Sequence, residues 1–294
     1  MRVRQRDLGL ALGGGSMLGI SHIGVLEVLE ENGIRPGIVT GTSAGGYVAA
    51  LYAAGVSPAS MRKMALEMKR EDLFESNFRV GAFLLMMFRF FGDLLQFMTV
   101  MPRGILNGAR IRSYVDQCTG KKNIAQALLP LGLVAVDLNS GNRVVFTNRP
   151  PAEAVSGTVF VRDAPLGLAV QASTAIPGVF EPVSFQGMLL VDGGVAEAVP
   201  VPLARQMGAR AVTAVNLIER NNVVEPQGIV QVILRSVSVM TQQVALHDLA
   251  AAELVIHPPV VQADLGDFSH ATELIEGGRR AMLEALPALH DLVR

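Results

Sequence analysis

The first 55 residues run twice through one cycle of short apolar strand, glycine-rich turn and helix. Leu8 to Leu12 is an unbroken apolar run, as suits a strand buried on both faces. Gly13-Gly14-Gly15-Ser16 follows, and then Ile20, Ile23, Val25, Leu26, Val28 and Leu29 recur at helical spacing until Gly33 stops the pattern. Ile38-Val39 is a second short strand, and a helix from about Ala44 to Ala54 ends at Gly55. Strands separated by a helix cross over and lie parallel, whereas antiparallel neighbours need only a tight turn. The cycle predicts an α/β fold with a mainly parallel central sheet and helices on both faces, a three-layer α/β/α arrangement.

Later segments extend the theme. Leu131 to Val136 and Arg143 to Phe146 read as strands joined by an Asn139-Ser140-Gly141-Asn142 hairpin turn. Val159 to Arg162, Leu189 to Val191 and Ala211 to Val215 add strands, and helices are expected from about Val201 to Met207 and from about Ala271 to Leu286. No repeat or linker divides the 294 residues, so one domain over 6–294 is expected, with an apolar insertion at about 72–106. Half of the chain is hydrophobic and 17% charged, enough to bury a large core. A net charge of −1 leaves no basic footprint for nucleic acid. The single cysteine, Cys118, excludes an internal disulfide and fits a reducing cytoplasm. Arg2, Arg4 and Arg6 before Leu8 imitate a signal peptide, but the apolar run is short and enters glycines, so a buried strand is expected. Residues 80–101 are crowded with Phe, Leu and Met; Arg89 and Asp93 near the middle argue against a span. A core or dimer-forming helix and a lid touching lipid at the inner membrane surface are both open readings of that segment.

Three motifs carry chemistry. Gly41-Thr42-Ser43-Ala44-Gly45 has glycine two residues either side of a serine, the nucleophile-elbow pattern, between an apolar strand and a helix. Such a turn strains the serine backbone and brings neighbouring backbones too close for a Cβ, hence Gly41 and Gly45. Gly13, Gly14, Gly15 and Ser16 could turn successive amides toward one anion and so supply an oxyanion hole. A phosphate-binding P-loop would need a Gly-Lys-Ser/Thr ending, and a dinucleotide site would need an acid after Ile38-Val39-Thr40; both are missing. Val191-Asp192-Gly193-Gly194 places an acid at the end of an apolar strand before a glycine turn, which reads as a plain turn or as a base for Ser43.

In that order, with His22-Ile23-Gly24-Val25-Leu26 after the first loop, the motifs resemble the bacterial patatin-like phospholipases. Asp137-Leu-Asn-Ser-Gly141, Ala172 to Phe180 and Val199-Pro-Val-Pro202 resemble further blocks of that family. The resemblance implies hydrolysis of lipid or carboxylic acyl esters by a Ser43–Asp192 dyad through an acyl-serine, with no cofactor and no metal. Gly13, Gly14, Gly15 and Ser16 would form the oxyanion loop. A carboxylate working as base needs its pKa raised by burial or a tight hydrogen bond to the serine. One departure stands out: the family loop carries Arg or Lys before its last glycine, where this chain has Leu18 before Gly19. The third glycine of the shorter family loop also falls on Ser16.

Two other readings stay open. Leu18 motivates a catalytically weak binding or regulatory protein. A conventional Ser-His-Asp esterase would draw its histidine from His247, His257, His270 or His290, which follow Asp192. His22 is expected to support the glycine loop, and no two histidines have metal-ligand spacing.

Overall fold

A computed structural model of the chain describes residues 3–76, 103–218, 228–261 and 265–293. The apolar segment 80–101 lies outside them. Twelve strands are described: β1 (Leu8–Leu12), β2 (Ile38–Thr42), β3 (Glu75–Ser76), β4 (Gly104–Asn107), β5 (Leu131–Asp137), β6 (Arg143–Thr147), β7 (Thr158–Val161), β8 (Gly178–Phe180), β9 (Val183–Phe185), β10 (Met188–Asp192), β11 (Ala211–Val215) and β12 (Leu254–Ile256). The described α-helices are α1 (Ser21–Glu31), α2 (Ala44–Ala53), α3 (Pro58–Glu67), α4 (Arg70–Leu73), α5 (Ala109–Thr119), α6 (Leu166–Ser173), α7 (Val201–Gln206), α8 (Ile229–Leu249) and α9 (Ala271–Leu292).

The main sheet runs β12-β11-β1-β2-β5, all parallel, and continues antiparallel through β10 and β9, while β6 and β7 extend from the other edge of β5. The mainly parallel α/β expectation is met, as is the β5–β6 hairpin. A small sheet, β3-β4-β8, stands apart and had no signal in the sequence.

Side chains alternate across the main sheet, so each strand feeds two cores. Leu10 and Leu12 of β1, Val39 of β2, Leu131, Leu133 and Ala135 of β5, and Phe146 of β6 join one core with α1, α2, α6 and α9. Ala11, Ile38, Val134, Val145, Val212 and Ala214 join the other, with Val201, Leu203 and Ala204 of α7 and Ala245 of α8. This two-sided burial explains why the strands read as continuous apolar runs rather than as alternating ones. Boundaries also have local causes. Ser57 caps α3 by accepting the Ser60 N–H at 3.2 Å with Pro58 in the first turn, and α5 ends on Gly120 at φ 66°. Among the described residues, no helix is long and apolar enough to cross a membrane.

One consequence of the register positions the site. β2 pairs with β5 as far as Thr42 opposite Val134, and β10 runs in from the opposite direction until Asp192 lies opposite Ala135. β6 occupies the other edge of β5 over the same stretch. The ends of β2 and β10 therefore meet along one edge of β5, at adjacent residues.

Candidate active site

Ser43 follows β2 directly and leads into α2 with φ 55° and ψ −126°, outside the helical and extended regions. A non-glycine residue held there stores roughly 1–3 kcal/mol of strain. Its N–H donates to Ser173 Oγ at 3.0 Å, a contact from the end of α6 that fixes the turn. Gly45 has no room for a side chain: a Cβ would lie 2.1 Å from Leu12 O and 2.6 Å from Gly13 O, and one on Gly41 would strike Gly45 O at 2.5 Å. The elbow and the glycine loop are thus packed backbone to backbone.

Asp192 ends β10 in the turn formed by Gly193 and Gly194. Its Oδ1 accepts the Gly194 N–H at 2.8 Å, and its own N–H donates to Ala175 O at 2.9 Å. Burial pushes the carboxyl up to about 6, against the opposing pull of the Ser43 hydroxyl and the Gly194 N–H. Oδ2 is buried and has no hydrogen-bond partner of standard geometry. Both residues line one cleft, without a closed hydrogen bond between them; catalytic hydrogen bonds commonly tighten only when substrate is bound. Ser43 and Asp192 are 7% and 5% exposed, so any reaction between them takes place largely out of water.

The strand that carries Asp192 is clamped by Asp137. Its Oδ1 accepts the Leu189 N–H at 2.9 Å and its Oδ2 accepts the Ser140 hydroxyl at 2.6 Å; these bonds hold the carboxyl below its usual range. The Asp-Leu-Asn-Ser-Gly block is thus a turn that also aligns β10.

The glycine loop departs from expectation at two positions. The Gly13 N–H donates to Val215 O and the Gly14 N–H to Ala198 O, each at 3.0 Å, so neither amide is open to an oxyanion. Sequence reading missed this because the acceptors lie about two hundred positions away. Gly15 and Ser16 donate to no acceptor among the described residues, and both line the cleft that contains Ser43 and Asp192. Ala44 opens α2, where backbone N–H groups lack helical partners. His22 behaves as the structural residue expected. It is buried, its Nε2 donates to Gly13 O at 2.9 Å, and burial lowers its pKa to about 4, so the ring is neutral.

Two clefts meet at Ser43 and Ser16. The first is almost wholly apolar, with Leu51, Met61, Met64, Met68, Phe74 and Phe180 in its wall. The second holds Asp192 and is roofed by α8 through Arg235, Ser238, Thr241 and Gln242. None of the five histidines lines either cleft.

Further residues shape the site without signals that could have found them. Thr40 and Thr42 donate to Pro200 O and Glu197 O at 2.7 and 2.8 Å, tying β2 to segment 197–200. Glu197 is buried against Arg143 and also accepts the Leu203 N–H at 2.8 Å. Asp248 of α8 accepts the Ala198 and Val199 N–H groups at 2.8 and 3.0 Å. Ala198 in turn accepts from Gly14, so α8 is linked to the glycine loop through one residue.

A family model described as Patatin-like phospholipase matches residues 10–205, two thirds of the chain and every motif above. The chain belongs to this family. An uncharacterised NTE family protein of Mycobacterium tuberculosis is 26% identical over the whole of this chain and 48% of its own length. Patatin-like phospholipase domain-containing protein 6 of Mus musculus is 29% identical over 71% of this chain and 13% of its own. The chain thus spans about half of the mycobacterial relative and a small part of the mouse one. VipD from Legionella pneumophila overlays with a TM-score of 0.49 at 13% identity, covering 95% of this chain and 66% of that one. In this patatin-like chain Ser16 adopts φ 51°, a left-handed conformation that a glycine there would take freely.

Proposed function

We propose that the chain is a serine acyl-ester hydrolase of lipid or related carboxylic esters, with Ser43 as nucleophile and Asp192 as its base. The carrying observation is the end-to-end meeting of β2 and β10 on β5, which sets the strained serine against a buried acid at the junction of two clefts. Membership of a phospholipase family supports lipid as the substrate class.

In the acylation step Ser43 Oγ bonds to the ester carbonyl carbon as its proton passes to the Asp192 carboxylate. The tetrahedral oxyanion is held by the Gly15, Ser16 and Ala44 N–H groups, aided by the N-terminal end of α2. Collapse breaks the bond to the alcohol oxygen, which takes the proton from Asp192 and leaves. Asp192 then accepts a proton from water, whose oxygen attacks the acyl-serine; breakdown returns that proton to Ser43 Oγ and releases the free acid. Raising the Asp192 pKa toward 6 narrows the gap between this base and the serine it must deprotonate. The apolar cleft takes the acyl chain. A Ser-His-Asp triad is disfavoured because no histidine reaches either cleft.

The test is direct. A fluorophosphonate probe should label wild type and not Ser43→Ala, and hydrolysis of p-nitrophenyl and lysophospholipid esters should vanish with the same change. Asp192→Asn should lower kcat by roughly a thousandfold, the scale of losing a general base. A wild-type protein that is neither labelled nor active on any acyl ester would sink the reading in favour of a binding or regulatory role.

A further inference from the structure

An ester lying on Ser43 has its acyl chain on one side and its alcohol on the other. With the acyl chain in the apolar cleft, the alcohol must enter the second, where the wall turns polar. Among the described residues of that wall, Arg235 is the only cation and Asp192 the only acid. Among the described residues, six arginines are half-buried, and five of them face carboxylates. Arg62 and Arg279 share Glu27 at 2.7 and 3.1 Å, Arg112 lies 3.8 Å from Asp116, Arg143 pairs with Glu197, and Arg205 pairs with Glu253. Arg235 makes no hydrogen bond or ion pair with any described residue.

A partly desolvated guanidinium without a partner is unfavourable unless something charged occupies its fork. The cleft it faces also contains Leu18, an apolar residue that brings no charge of its own. The glycine loop and α8 are therefore two sides of one binding volume, with its cation on α8.

We propose that Arg235 makes the second cleft a phosphate-binding subsite, which takes the phosphate on the alcohol side of a phosphorylated acyl ester. Arg235 binds the anion and sets specificity; it does not touch the reacting carbonyl. The orientation of the ester rests on Ser43 being the acyl-transfer residue, but the anion site itself does not.

The experiment keeps the two claims apart by measuring binding without turnover. Dodecyl phosphate and inorganic phosphate are titrated calorimetrically into Ser43→Ala and into Ser43→Ala/Arg235→Gln. Dodecyl phosphate should bind about tenfold more weakly to the double variant, the loss expected for one charge-assisted pair, and Arg235→Lys should recover part of it. If inorganic phosphate loses affinity by the same factor, free phosphate suffices as ligand; if only dodecyl phosphate responds, the site needs a lipid phosphate. In parallel, the ratio of kcat/KM for a lysophosphatidic acid to that for the monoacylglycerol with the same chain should fall about tenfold in Arg235→Gln, and Leu18→Arg in that background should raise it again. Equal dodecyl phosphate binding by the two Ser43→Ala proteins, or none by either, overturns the subsite. Arg235-dependent binding in a protein that hydrolyses neither ester overturns the hydrolase reading and leaves the subsite standing.

Discussion

Asp192 is held where its charge is costly, and that cost can be measured. In the unfolded chain its carboxyl titrates near 3.8, and in the folded chain at about 6. The folded state thus holds the proton more tightly. Its stability is penalised as pH rises through this window, and the penalty is complete above about 6. Asp192→Asn should therefore raise unfolding stability by about 2–3 kcal/mol at pH 8 and by little at pH 4, while it removes activity. In wild type, kcat/KM should fall about tenfold per pH unit below 6 as the base is protonated. A pH-rate profile flat down to 4, or an Asn variant no more stable at pH 8, would remove Asp192 from the role of base. His22 acts with the opposite sign. Its pKa drops from 6.5 to about 4 on folding, so it contributes stability above about 6.5 that is lost as pH falls toward 4. The two slopes oppose each other in wild type, and Asp192→Asn should expose the steeper His22 dependence.

At the scale of elements, segment 197–200 connects the site to α8. Asp248 accepts two buried amides there, and its own carboxyl is pushed up to about 7 by burial. Asp248→Ala would leave the Ala198 and Val199 N–H groups without an acceptor, at a cost of about 2–4 kcal/mol. Because Ala198 O takes the Gly14 N–H, the glycine loop should loosen and kcat should fall more than KM rises. Asp248→Asn keeps a carbonyl in place and should restore most of both; equal kcat and KM effects, or no recovery, would show a merely structural contact. These links also explain what the sequence could and could not disclose. The elbow was legible because its constraint is local, two glycines forced by one tight turn. The pairing of Ser43 with Asp192 was reached only through the family resemblance, since it depends on how β2 and β10 register on β5, and Asp-Gly-Gly alone reads as a plain turn. Gly13 and Gly14 were assigned to the oxyanion for the same reason: nothing in the loop shows that Val215 and Ala198 already use those amides. Helix α8 escaped notice because its apolar residues do not mark a buried face. Val232, Ile233, Val239, Met240 and Leu246 are 40–58% exposed, while Asp248 is 3% exposed.

At the scale of the whole molecule, the family match ends at residue 205, yet the site does not. β11 completes the sheet beside β1 and accepts the Gly13 N–H, α8 roofs the second cleft, and α9 packs along α1. The last contact is as tight as backbone allows. A Cβ on Gly278 of α9 would lie 1.9 Å from Ser21 O, and one on Gly24 of α1 would lie 2.0 Å from Ile275 O. Ser21 precedes His22, the residue that holds Gly13 O, so a displacement of α9 is passed to the glycine loop through a single turn of α1. Gly278→Ala should force the helices apart and cost about 3 kcal/mol, as overpacking does, lowering the unfolding midpoint by roughly 5 °C. Glu284→Ala, on the exposed side of the same helix, should stay within about 0.5 kcal/mol of wild type. Turnover by Gly278→Ala should also decline well below its unfolding midpoint, because the loop is disturbed before the fold is lost. A variant that keeps wild-type turnover until it unfolds would show that α9 stabilises the chain without aligning the site.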